Sequence, residues 1–195
     1  MKYYTGVGSR ETPQVILDLM FKTAKYLDSK NYILRSGGAR GADCAFEMGA
    51  SIDKCHVYSI NAKHKAVSGK PSIIPDLEKF RDLAKLCCLH YNKINSQYAK
   101  DLHTRNICQI IGSDCDNIIK SEFVLCYTQY GEYKGGTTTA IRCAERFDVP
   151  IFNFGTYDSI TDDILRIKEI KYNLKLFLEL HTNEVCTVEQ CRTVT

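Results

Sequence analysis

Residues 34–43 constrain the fold of this chain more than any other stretch. They read Leu-Arg-Ser-Gly-Gly-Ala-Arg-Gly-Ala-Asp, after an apolar run at residues 32–34 and before apolar residues at helical spacing. Glycines allow a tight turn and close approach of a ligand to the backbone. The first turn of a helix offers unpaired N–H groups and a partial positive charge. The pattern therefore predicts a strand, a phosphate-binding turn and a helix, with these candidate ligand contacts: Gly37, Gly38, Ala39, Arg40, Gly41 and Asp43.

Two further stretches repeat the pattern. One follows the apolar run at residues 3–7, and the other follows the apolar run at residues 123–127. In open α/β sheets, ligands bind beyond the carboxyl ends of the strands, where such loops meet. We therefore expect three loops to converge on one crevice, and these residues join the candidate contacts: Gly8, Ser9, Arg10, Gly135, Gly136, Thr137 and Thr138.

Apolar runs and helical patterns alternate along the chain, which predicts a single-domain α/β fold of the Rossmann-like type, with a doubly wound parallel sheet. The predicted strands are 2–7, 32–36, 55–60, 123–127 and 149–154. The predicted helices begin after Thr12-Pro13, with Thr12 as the N-cap, and cover 41–51, 75–91, 97–112 and 137–147. Residues 61–75 are irregular, and their lysines form either a solvated loop or a basic flap.

The C-terminal part of the chain has a different character. Residues 158–180 show a long amphipathic helical pattern, and the residues after 181 are polar. We predict three regions: a ligand-binding core at 1–155, a C-terminal helix at 156–181 and a polar tail at 182–195.

Composition restricts the function classes only coarsely. The chain has 195 residues, of which 44% are hydrophobic, and this fits one domain with a sizeable core. A net charge of +3 is too small to indicate a nucleic-acid partner. The ten cysteines form no Cys-x-x-Cys pair and the histidines lack zinc-finger spacing, so we expect reduced thiols, no metal site and no cofactor. No signal region or membrane-length apolar stretch occurs, which predicts a cytoplasmic protein without a membrane partner.

The three glycine motifs resemble a known group of proteins. Gly6-Val-Gly-Ser-Arg10, Ser36-Gly-Gly-Ala-Arg-Gly-Ala-Asp43 and Gly135-Gly-Thr137 are similar to the SLOG superfamily of Rossmann-like domains. That superfamily includes the DNA-processing protein DprA (Smf), the Lonely-guy (LOG) phosphoribohydrolases and YpsA-related proteins. Many small members are encoded by phages. The resemblance covers residues 1–155, and it implies a nucleotide or nucleotide-derived ligand and a homodimer or higher homo-oligomer.

The LOG branch gives the resemblance its enzymatic alternative, a nucleotide N-glycosidase or phosphoribohydrolase. His103-Thr-Arg105 matches the first part of the LOG signature, which favours Arg105 as a ligand contact. In the second part, Arg142 stands where LOG enzymes have a catalytic glutamate. Cleavage of a glycosidic bond needs a carboxylate near the sugar, so Glu11, Asp43 or Glu47 would have to supply it. The catalytic residue is therefore unassigned.

The main interpretation is a protein that binds a phosphate-bearing nucleotide, either ADP-ribose-like or cyclic, as a sensor or a sequestering protein. In a phage, capture of a host defence signal would be a natural use. The other alternative is a DprA-like recombination mediator that binds single-stranded DNA. The sequence leaves two open roles for Asp43, a favourable acid in the first helical turn or a contact to ribose or Arg10. Glu47 is expected at a solvated helix position, and Tyr130 and Tyr133 either stack on a base or are merely exposed.

Overall fold

A computed structural model describes residues 1–63, 65–155, 168–169 and 171–179 of the chain. Strands and helices alternate in it, as predicted. The strands are β1 (Lys2–Gly8), β2 (Tyr32–Ser36), β3 (Cys55–Tyr58), β4 (Ser72–Ile73), β5 (Phe123–Tyr127) and β6 (Ile151–Asn153). The α-helices are α1 (Gln14–Ser29), α2 (Ala42–Gly49), α3 (Arg81–Cys87), α4 (Gln97–Ile111) and α5 (Thr137–Arg146).

The sheet has six strands within the described residues, in the order β4-β3-β2-β1-β5-β6, and every neighbouring pair is parallel. The strand order runs in opposite directions on the two sides of β1, so β1 and β5 flank the topological switch point. This is where open α/β sheets form a ligand crevice. The predicted Rossmann-like fold is thus confirmed, and β4 adds a strand inside the segment that the sequence left irregular.

Side chains of each strand alternate between two apolar layers. Phe123 and Leu125 pack with α1 and α2 on one face, whereas Val124 and Cys126 pack with α3, α4 and α5 on the other. Burial on both faces explains why β5 reads as a continuous apolar run.

The C-terminal helical residues belong to the first layer. Within the predicted C-terminal helix, residues 168–169 and 171–179 are helical, and Leu174 and Leu178 are buried there. The Phe177 ring packs edge-on against Phe123, with centroids 5.5 Å apart. The remainder of the predicted helix and the polar tail at 182–195 lie outside the described residues, and the three-region division of the chain remains a prediction.

Two local predictions were wrong. Thr12 does not cap α1, because its hydroxyl donates to the Ser9 carbonyl at 2.7 Å and Pro13 occupies the N-cap position. The helix predicted at 75–91 is divided into a 3-10 turn at Leu77–Phe80, the helix α3 and a second 3-10 turn at Tyr91–Lys93. Cys88 ends α3 with an extended backbone, so the chain leaves the helical path there.

Cysteine behaves as a small apolar residue over much of this fold. In the described ranges, eight cysteines are free thiols, and six of them are buried in the apolar core. None of the helices in the described ranges has the length and apolar character needed to cross a membrane.

Candidate functional site

A cleft of about 520 Å³ lies at the switch point, beyond the carboxyl ends of β1 and β5. Its walls come from the loops that follow β1, β2 and β5, and from one side of α4. These loops converge because parallel strands all end at the same edge of the sheet. The volume falls within the range of pockets that hold small ligands, roughly 300–1,000 Å³.

The structure brings together most of the residues that the sequence predicted as ligand contacts. Nine of them line the cleft: Gly8, Ser9, Arg10, Ala39, Asp43, Arg105, Gly135, Gly136 and Thr137. The other five do not line it: Gly37, Gly38, Arg40, Gly41 and Thr138. Their roles in binding, like those of the first nine, stay predictions.

Neighbouring groups cover two of these five residues, Gly37 and Gly41. A Cβ atom at Gly37 would lie 1.4 Å from Arg105 Nη1, so the Arg105 side chain covers this glycine. A Cβ atom at Gly41 would lie 2.6 Å from the Ser9 carbonyl oxygen, so the β1 loop packs directly on it. Arg40 is exposed, whereas Thr138 is buried in the first turn of α5.

Asp43 and Arg105 are the two charged residues buried at the inner end of the cleft, each 5% exposed. Burial raises the pKa of Asp43 to about 6, and the nearby Glu47 carboxylate adds to this increase. The charge of Arg105 and the backbone N–H groups of Ala39 and Gly8 act in the opposite direction. Burial lowers the pKa of Arg105, and Asp43 and Glu47 oppose that change. Asp43 can thus change its protonation state under mildly acidic conditions.

Gln109 on α4 holds the Arg105 side chain against the glycine loop. In the amide orientation that satisfies its neighbours, Gln109 Oε1 accepts from Arg105 Nη1 at 2.9 Å and from the Gly37 N–H at 2.7 Å. Its Nε2 donates to Asn106 Oδ1 at 3.3 Å. Arg105 Nε has no hydrogen-bond partner within the described part of the chain. This nitrogen is shielded, so it is the positive charge of the cleft-lining Arg105 side chain that suits an anionic ligand.

Glu47 was expected at a solvated helix position, and this prediction was wrong. It is fully buried, and its carboxylate accepts hydrogen bonds from Ser36 Oγ at 2.6 Å and from the Gly38 N–H at 2.9 Å. It also accepts a short hydrogen bond from the Ser68 hydroxyl. Burial raises the pKa of Glu47, and these hydrogen bonds oppose the increase. Glu47 does not line the cleft, and it supports the glycine loop after β2 from behind.

Backbone N–H groups at the start of α2 already donate to acceptors within the protein. The Ala42 N–H donates to the Ser9 carbonyl at 3.3 Å, and the Cys44 N–H donates to the Ala39 carbonyl at 3.1 Å. Asp43 places a carboxyl group in the first turn. A phosphate at this helix terminus would meet both carbonyl oxygens and a carboxyl group. The loop that the sequence ranked first for anion binding is therefore the less suitable one.

The start of α5 presents a different environment. Gly135 and Gly136 are exposed and line the cleft, and the first turn of α5 contains no acidic residue. Side chains of α4 position this loop, since Asn106 Nδ2 donates to the Gly136 carbonyl at 2.8 Å and His103 Nδ1 lies 2.7 Å from Thr139 Oγ1. A first-turn amide is bonded here too, since the Thr139 N–H donates to the Gly136 carbonyl at 3.1 Å. The absence of an acidic residue and the exposure of the glycines make this helix terminus the more favourable of the two for an anion.

The rim of the cleft carries charges of both signs. Arg10 and Glu11 lie on the β1 side, and Lys134 forms an ion pair with Glu132 on the β5 side. Arg142, at the position where the sequence resemblance to LOG enzymes implies a catalytic glutamate, does not line the cleft. Glu11, Asp43 and Glu132 are the carboxyl groups that do.

Tyr133 and Tyr130, in the loop after β5, differ in that one is hydrogen-bonded to a helix and the other is the more exposed. The Tyr133 hydroxyl donates a short hydrogen bond to Glu145 on α5. Tyr130 is 53% exposed at a position with φ of 55°, next to the cleft residue Gln129. Its ring is accessible for stacking.

Sequence reasoning did not identify two polar residues of α4 that organise the cleft, Asn106 and Gln109. Both are buried. Their spacing with His103 is three residues each time, so they follow one another along one helix face. A polar series on a helix that is otherwise apolar in its second half is the signal that could have found them.

No family model and no curated protein matches the chain. Among solved structures, the chain is similar to DNA processing protein A (DprA) from Helicobacter pylori, which is described for its single-stranded DNA binding mode. The TM-score is 0.56 at 16% sequence identity, and the match covers 91% of this chain and 80% of that one. At this identity the similarity shows a shared fold, and it agrees with the Rossmann-like fold that the resemblance implied.

Proposed function

We propose that this chain binds single-stranded DNA, with a backbone phosphate held at the N-terminus of α5 in the switch-point cleft. The observation that carries the proposal is the arrangement of this cleft. It combines the start of α5, where Gly135 and Gly136 are exposed and the first turn has no acidic residue, with the positive charge of the cleft-lining Arg105. Both features favour a phosphate group.

The similarity to a protein that binds single-stranded DNA supports a polymeric ligand over an isolated nucleotide. The surface near the cleft fits such a ligand in two ways. Arg10 lies at one rim and Lys134 at the other, which would allow contacts to successive phosphates. The exposed ring of Tyr130 next to the cleft offers a stacking surface for one base.

The test is fluorescence anisotropy with a labelled oligothymidylate, measured at several salt concentrations. We expect salt-sensitive binding by the wild type. The variants Arg10→Ala and Lys134→Ala should bind more weakly, and each should reduce the salt slope by about one unit or slightly less for a lost phosphate contact. Lys22→Ala is the matched control, because Lys22 is an exposed α1 residue that does not line the cleft.

Two results would contradict the proposal. The first is the absence of binding by the wild type at low salt. The second is equal loss of affinity in Lys22→Ala and in the two rim variants, since that would indicate attraction by overall charge.

A second candidate is a free nucleotide that is sensed or sequestered. The observation that favours it is the closed inner end of the cleft, where Asp43 and Arg105 are both buried and could read a ribose and a phosphate. Competition separates the two candidates. A mononucleotide that displaces the oligonucleotide at micromolar concentration, and that native mass spectrometry finds bound to the purified chain, would favour the second. Appearance of free base in the same mixture would indicate the N-glycosidase alternative.

A further inference from the structure

Three potential metal ligands meet beside the cleft, although they belong to different elements. Cys88 ends α3, His90 precedes the 3-10 turn at Tyr91–Lys93, and His103 lies within α4. One ligand atom from each of the three lies within 4.8 Å of the other two. Cys88 Sγ is 3.8 Å from His90 Nε2. The imidazole rings of His90 and His103 are nearly perpendicular, with centroids 5.6 Å apart.

These separations are close to those of a tetrahedral zinc site. Zinc binds thiolate sulfur at about 2.3 Å and imidazole nitrogen at about 2.0–2.1 Å. At a tetrahedral angle these bond lengths place sulfur and nitrogen about 3.6 Å apart. The observed 3.8 Å between Cys88 and His90 therefore needs only a small side-chain adjustment. A thiolate with two imidazoles is a donor set that suits Zn²⁺.

The surrounding hydrogen bonds fix the ligands before a metal arrives. The Cys88 N–H donates to the Ala84 carbonyl at 2.8 Å, and the Tyr91 N–H donates to the Cys88 carbonyl at 2.9 Å. The Cys88–His90 turn is thus held at both ends. His103 Nδ1 lies 2.7 Å from Thr139 Oγ1, which leaves Nε2 of the same ring for a metal. Such an outer hydrogen bond is a usual feature of metal-binding histidines, because it orients the ring.

We propose that Cys88, His90 and His103 form a Zn²⁺ site with three protein ligands and a fourth position open to water or a ligand. Cys88 is buried, His90 is exposed and His103 lines the cleft. The site therefore lies between solvent and the cleft wall. Its local sequence spacing, Cys-x-His followed by a distant histidine, differs from the usual zinc motifs, so the expectation of no metal site came from linear spacing alone. The site does not depend on the proposed function.

The test is titration of the full-length chain, under reducing conditions, with Co²⁺ as the spectroscopic probe and Zn²⁺ as the competitor. We expect one Co²⁺ per chain, a thiolate-to-cobalt charge-transfer band and intense d–d bands of four-coordinate cobalt, all removed by Zn²⁺. Cys88→Ser should lose the charge-transfer band. His90→Ala should bind at least tenfold more weakly, and because His90 is exposed its loss should leave the fold intact. Cys115→Ser is the matched control, since Cys115 is a free, partly exposed thiol outside the cluster.

Thermal unfolding with Zn²⁺ tests the same site without relying on cobalt absorption. Zn²⁺ should raise the thermal midpoint of the wild type and of Cys115→Ser by the same amount, increasing with Zn²⁺ concentration, and it should raise that of His90→Ala less at the same concentration. The proposal is overturned if the wild type binds no Co²⁺, or if Cys88→Ser keeps the charge-transfer band. Equal metal affinity in the wild type and His90→Ala would overturn it as well.

Discussion

The two glycine-bearing junctions at β2–α2 and β5–α5 have similar sequences but different environments. At β2–α2, amides of the first helical turn bond to protein carbonyls, and Asp43 and Glu47 are buried nearby. At β5–α5, two glycines are exposed in the cleft and no acid lies in the first turn. The comparison indicates that a glycine loop before a helix can either pack against the rest of the fold or remain exposed in a cleft. What decides between them is the set of groups that other elements bring to the loop.

Replacing Gly41 should produce the largest effect, because this junction has no room to adjust. Gly41 has φ of 76°, and an added Cβ would lie 2.6 and 2.7 Å from the carbonyl oxygens of Ser9 and Arg10. Left-handed strain and overpacking against backbone together predict that Gly41→Ala lowers the free energy of unfolding by about 4 kcal/mol. Urea denaturation at neutral pH measures it. A loss below about 1 kcal/mol would mean that the β1 loop moves freely away from α2.

Removing the Glu47 carboxylate should have the next largest effect. Glu47→Ala leaves Ser36 Oγ and the Gly38 N–H without their acceptor, and it also removes the bond from Ser68. We expect a loss of about 3 kcal/mol in urea denaturation, because buried donors are left unsatisfied. Glu11→Ala is the control, since Glu11 is an exposed acid of the neighbouring loop and should change stability by about 0.5 kcal/mol or less. Similar losses in both variants would contradict a supporting role for Glu47.

The protonation of Asp43, at the β2–α2 junction, should make the free energy of unfolding depend on pH. Its pKa is about 6 in the folded protein, compared with about 3.9 in an unfolded chain. Between these values the folded state holds the proton more tightly, so this carboxyl contributes most below about pH 4 and its contribution is lost as the pH rises through 6. Relative to Asp43→Asn, the wild type should lose about 3 kcal/mol of unfolding free energy between about pH 4 and 7. Parallel profiles for the two proteins, from urea denaturation at each pH, would show that Asp43 is not buried as described.

Gly135→Ala should produce the smallest effect on stability and sharpen the contrast with Gly41. Gly135 also has a positive φ of 69°, but an added Cβ would meet nothing within 4 Å. Only the backbone preference is lost, which predicts a decrease of about 1 kcal/mol in urea denaturation. A decrease as large as that of Gly41→Ala would remove the distinction between a sealed and an open junction.

Local sequence patterns predicted five of the six strands in the described residues, the glycine loops and their convergence. That was sufficient because strand-turn-helix units are defined by adjacent residues, and parallel topology brings their ends together. The partners of those loops come from distant positions. Ser68 reaches Glu47 from a segment that the sequence left irregular, and Gln109 reaches Gly37 from α4. No local pattern links these residues.

Arg35 illustrates the same limit within a strand. It lies in β2 and is 3% exposed, and its guanidinium stacks on Tyr3 with a separation of 4.0 Å from the ring centroid. Its Nη1 donates to the carbonyls of Ile110 and Ile119. A basic residue in a strand is usually expected at the surface. Its burial depends on where α4 ends, which the sequence of β2 does not contain.

The bonds of Glu47 join the end of β2, the body of α2 and Ser68 after β3 through one carboxylate. One wall of the cleft is therefore shaped in the absence of any ligand, and ordering that wall takes no entropy from the binding free energy. On the opposite wall, α4 holds Gly136 and Thr139 by hydrogen bonds, whereas an added Cβ at Gly135 would meet nothing within 4 Å, so Gly135 has room to move. We therefore expect a ligand to meet a preformed wall on the α2 side and a loop that adjusts to it on the α5 side.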